Sequence, residues 1–152
     1  MSLRGRTNQL LYQAELLLEI PVGDDEHATA RRMASEEGAL ALLELALNSA
    51  LRELTEHAAL PRHEWRELLL DDSRRLAELE RLRELAGDEA SWLALLLQRI
   101  DALHGEEGAA RRQATSAVIA STQQATLADE LRWCSQQFKQ LLGQMRETSY
   151  EW

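Results

Sequence analysis

Two Asp-x-x-His pairs hold the residues best spaced for chemistry, Asp24 with His27 and Asp101 with His104. Three positions apart on a helix, a carboxylate and an imidazole share one face, the arrangement by which helical bundles hold metal ions. Bundle di-iron sites take Glu-x-x-His from two helices and a further Glu from each of two others, all projecting into the core. Both pairs here contain Asp and fall at helix ends, and Asp101 and His104 lie largely opposite the stripe of Leu96, Ile100 and Leu103. Asp24, His27, Asp101 and His104 are the only metal ligands the sequence nominates. Helix capping and solvated charge account for them better than a metal site does, and no cofactor is expected.

Other reactive side chains lack companions. His63-Glu64 begins like a zinc-protease helix, but the second histidine would have to stand at Glu67. His57 and His63 flank Pro61 with Glu53, Glu56 and Glu64 nearby, the composition of a hydrated turn. Cys134 sits on an apolar helix face with no histidine in local reach, and burial there raises a thiol's pKa and quiets it. No G-x-S-x-G elbow, Walker loop or G-x-G-x-x-G occurs. An enzyme is therefore the less favoured reading.

Binding residues are easier to name than catalytic ones. Arg111 and Arg112 stand in an acid-free stretch and form a local positive patch suited to a phosphate or an acidic partner. Arg31-Arg32 and Arg74-Arg75 are set among acids and read as exposed helix pairs. Trp133 points away from the stripe of Leu131, Cys134 and Phe138, a position that suits either a widened core or a partner contact.

These residues must be carried on helices. Leu10, Ala14, Leu17 and Leu18 recur at helical spacing, with Thr7 as the N-cap and Pro21 as the stop. A second helix spans Ala28 to Ala59, with Gly38 as a point of bending. Its main stripe is Leu40, Leu43, Leu47, Ala50, Leu51 and Leu54, and Leu42, Leu45 and Ala46 lie on the other side. A helix apolar on two faces is either central or lends its second face to a partner, so Leu42 and Leu45 join the candidate surface. After the break at Leu60-Pro61, Asp71, Asp72 and Ser73 offer caps for a helix carrying Leu76, Leu79, Leu82 and Leu85, closed by Gly87. Asp88 caps a fourth helix with Trp92, Leu93, Leu96, Ile100 and Leu103 inward, ending at His104-Gly105. The Ala, Ser, Thr and Gln of Gly108 to Thr126 suit helix or irregular crossover alike. The last helix is strongly periodic, with Leu127, Leu131, Cys134, Phe138, Leu141, Leu142 and Met145 on one face, and the tail with Tyr150 and Trp152 is expected to fold back.

The whole reads as all-α, a compact antiparallel bundle of about five amphipathic helices in one domain over residues 1–152. A chain of this length buries about 68–70% of its unfolded surface. Twenty-six acids against 17 Lys and Arg give a net charge of −9, which repels phosphate backbones and anionic lipid, so neither nucleic acid nor membrane is an expected partner. The apolar run from Leu10 to Ile20 is interrupted by Gln13, Glu15 and Glu19 and has no cleavage site after it, which disfavours secretion. A single cysteine agrees with a reducing compartment, and the expected location is the cytoplasm.

Arg6-Thr7-Asn8-Gln9 with Leu11-Tyr12, Ser91-Trp92-Leu93-Ala94, and the stretch from Met145-Arg146 to Glu151-Trp152 together resemble a family of short, uncharacterised, all-helical proteins from pseudomonads. The resemblance runs over nearly the whole chain and implies a bacterial helical protein with no assigned activity. If its motifs matter, Thr7, Asn8 and Gln9 fasten the first helix to the tail. The expectation is a noncatalytic protein-interaction or oligomerisation protein, with a protein partner or a homodimer contact through Leu42, Leu45, Trp133, Arg111 and Arg112. The alternative is a small-ligand-binding or metal-dependent bundle enzyme.

Overall fold

The computed structural model describes residues 1–71, 76–111 and 125–150, and its first helix opens at Ser2. The Ser2 hydroxyl accepts the Gly5 amide at 2.9 Å, and α1 runs Leu3–Glu19 until Ile20 turns extended ahead of Pro21. The cap therefore lies well before Thr7. Thr7 is instead buried within α1, its hydroxyl 3.1 Å from the Leu3 carbonyl and 2.7 Å from Ser49 Oγ, so it serves as a polar contact between helices.

Helix α2, Ala28–Leu54, buries all of its main stripe from Leu40 to Leu54. It passes Gly38 without interruption. A Cβ at that glycine would stand 3.1 Å from Leu17 Cδ1, so Gly38 permits close approach of α1. The pairs Thr7 with Ser49 and Leu17 with Gly38 run in opposite senses along the two helices, which fixes α1 and α2 as an antiparallel hairpin. Arg31 closes the turn, donating to the Val22 carbonyl and, at 3.1 Å, to Asp25.

A short 3₁₀ turn, Glu56–Ala58, follows, and then a helix the periodicity does not mark: α3, Trp65–Leu70. Trp65 is fully buried, its backbone N–H 3.0 Å from Asn48 Oδ1 and its indole N–H 2.8 Å from Glu44 Oε2. One aromatic anchor with two hydrogen bonds to α2 holds this six-residue helix in place. Helix α4, Ala77–Gly87, buries Leu79 and Leu82, and Arg83 reaches back to the Leu68 and Asp71 carbonyls at the end of α3. The expected caps Asp72 and Ser73 lie outside the described residues. Asp71 stands at the C-terminal cap position of α3.

Helix α5, Trp92–Leu103, takes its cap from Ser91, whose hydroxyl accepts the Ala94 amide at 3.0 Å, three residues beyond the expected Asp88. Helix α6, Leu127–Tyr150, starts in a reciprocal cap: Thr126 Oγ1 accepts the Asp129 amide at 3.1 Å while Asp129 Oδ2 accepts the Thr126 amide at 3.3 Å. The helix continues through Tyr150, so the chain does not fold back before that point; Trp152 lies outside the described residues.

Contacts along α6 give the packing. Asn8 meets Arg146, Glu15 meets Ser135 and Leu18 meets Arg132, an antiparallel register with α1. Glu36 meets Ala128 and Glu53 meets Arg146, a parallel register with α2. Trp92 meets Cys134 and Arg99 meets Glu130, again antiparallel. The core between them draws on every helix: Leu10 and Ala14, Leu43 and Leu47, Trp65, Leu79, Leu93 and Ile100, Leu131 and Phe138, with the Trp92 and Phe138 rings stacked at 5.3 Å. Six α-helices are thus present among the described residues, with no strand. No helix among them is long and apolar enough to cross a membrane.

Candidate functional site

The four metal candidates are separated. His27 precedes α2 with its ring 3.3 Å from Glu26, and Asp24 is exposed in the same turn. Asp101 lies in the last turn of α5 and His104 at its C-terminal cap, but they turn to different partners: Arg66 donates to Asp101 Oδ1 at 2.8 Å, and His104 Nε2 lies 2.7 Å from Glu44 Oε1. Those contacts fasten α5 to α3 and α2, and among the described residues no three His, Cys, Asp or Glu side chains converge on a metal position. Cys134 is buried, and burial, with the Glu130 charge adding to it, pushes its pKa up to about 12.

The candidate interaction surface is also scattered. Of the second stripe on α2, Ala46 is fully buried and Leu42 is half-buried against the core, which leaves Leu45 at 49% exposure as the one outward leucine. Trp133 is 42% exposed on α6. Arg111 is exposed, and its carbonyl accepts from Arg32; Arg112 lies outside the described residues. The covering of Ala46 and Leu42 by the chain itself removes most of the reason for expecting a partner on that face.

What the sequence does not show is a cleft of about 880 Å³ at the C-terminal ends of α2 and α6. Helix α4 packs on α3 and α5, whereas α6 packs on α1, α2 and α5, and the cleft lies between α4 and α6. Leu54, Leu141 and Met145 give it an apolar floor. Along α6 the lining residues Leu141, Gln144, Met145 and Thr148 fall on one side at helical spacing, a wall about 10 Å long.

Charged groups line the walls and rim. Arg146 grips Glu53 through Nε and Nη2, at 2.6 and 3.0 Å, and donates from Nη1 to Asn8 at 3.0 Å, so this ion pair is part of the wall. On the rim His57 lies 3.5 Å from Glu78, and Arg81 lies 3.6 Å from Glu84 within α4. Glu56 is exposed beside them. The sequence reading takes Glu53, Glu56 and His57 as a hydrated turn; Glu56 and His57 are exposed after α2, but Glu53 lies within α2, shielded and paired with Arg146, and the sequence cannot show that α4 and α6 complete a cavity around them. Nearby, burial and the Arg52 charge lower the pKa of His63.

The resemblance motifs meet at this wall, since Asn8 and Arg146 both belong to them and are joined directly. A family model, that of DUF6586, a family of unknown function, matches residues 1–152. The chain belongs to the DUF6586 family. No curated protein and no solved structure matches it. Among the described residues the cleft combines an apolar floor, a fixed ion-paired wall and a charged rim.

Proposed function

We propose that this DUF6586 chain is a noncatalytic binding protein that receives an apolar partner in the cleft between α4 and α6. The observation that carries the reading is the cleft itself, about 880 Å³ with Leu54, Leu141 and Met145 at its floor, within the size range of specific ligand sites. The chain's charges support it by their arrangement. Glu53 with Arg146, Glu44 with His104 and Arg99 with Glu130 are tied into joints between helices, so the interior is built for rigidity rather than proton transfer. A cytoplasmic site of action accompanies this proposal, on the strength of the lone thiol.

Nile red, an uncharged apolar dye, tests the cleft. It is expected to titrate saturably at one site on the wild-type protein, with the emission rise of an apolar environment. Ala77→Trp should abolish the titration by filling the cleft from the exposed start of α4, while the melting transition is retained. Equal dye binding by the two proteins would end the proposal.

A further inference from the structure

We draw no further inference here: the strongest candidate, the exposed stripe of Tyr12, Leu16 and Ile20 along the outer face of α1, is an unpartnered apolar surface, and nothing in the structure shows what covers it.

Discussion

Arg146 holds Glu53 through two nitrogens, at 2.6 and 3.0 Å, and extends a third to Asn8, so one guanidinium joins α6 to α2 and α1. Both ends of the ion pair are mostly shielded from solvent, at 13% side-chain exposure each. Loss of the arginine leaves a shielded carboxylate without its partner, a cost between that of a surface pair and a fully buried one. Arg146→Ala is expected to lower unfolding stability by about 2 kcal/mol, and a double-mutant cycle with Glu53→Gln to show coupling of about 1 kcal/mol or more in urea denaturation. Additive effects would mean that the pair does not join the helices energetically.

Glu36 is a second such joint, at 2% exposure. Its Oε1 pairs with Arg32, and its Oε2 accepts the Ala128 amide at 3.1 Å, so an acid of α2 satisfies a free N–H in the first turn of α6. Glu36→Ala should cost about 3 kcal/mol, because both the guanidinium and the amide lose their partner, and Glu36→Gln clearly less. Comparable losses for the two substitutions would show that charge, not hydrogen bonding, is what matters there.

Asp129 provides a pH test. The Thr126 hydroxyl and amide lower its pKa most, with the Arg132 charge adding to them, from an ordinary 3.8. A carboxyl with a depressed folded pKa contributes stability above its unfolded value and loses it as pH falls through the folded one. Asp129→Ala should therefore cost about 0.5–1 kcal/mol at pH 7, and the gap from wild type should close as pH drops below 4. A gap that is constant from pH 7 to pH 2 would rule out the carboxylate cap.

Much of this architecture is legible in the sequence because helices repeat. Leu40 to Leu54 and Leu127 to Met145 follow the 3.6-residue period over many turns, and both stripes are core. Helix α3 escapes because six residues show no period, and its position depends on Trp65 reaching Glu44 and Asn48 on another helix. Thr7 misleads because a hydroxyl that caps in one context bonds across helices in another, and only Ser49 distinguishes the two. The cleft is illegible for the same reason on a larger scale. Leu141 and Met145 carry the pattern of ordinary core positions, and only the placement of α4 away from α6 leaves them lining a groove.

Cys134 should be chemically silent in the native protein. With its pKa pushed up to about 12 by burial, it is expected to resist Ellman's reagent at pH 8 and to react promptly in denaturant. Fast native-state labelling would mean that α5 and α6 part readily, since the thiol lies 3.5 Å from the Trp92 carbonyl between them.

Glu36 and Glu37 are neighbours on α2, and their carboxylates receive the Ala128 and Ala109 amides on either side of the stretch that links α5 to α6. Arg32 adds a bond to the Arg111 carbonyl, and Gly108, at φ +75°, turns the chain where a Cβ would strike the Glu37 carboxylate. Departure and return are thus pinned at one spot, like a drawstring knotted at both ends. A sequence grafted between Arg111 and Ala125 meets a frame whose ends are already held together, and doubling the length of such a span adds only about 0.6 kcal/mol of closure entropy.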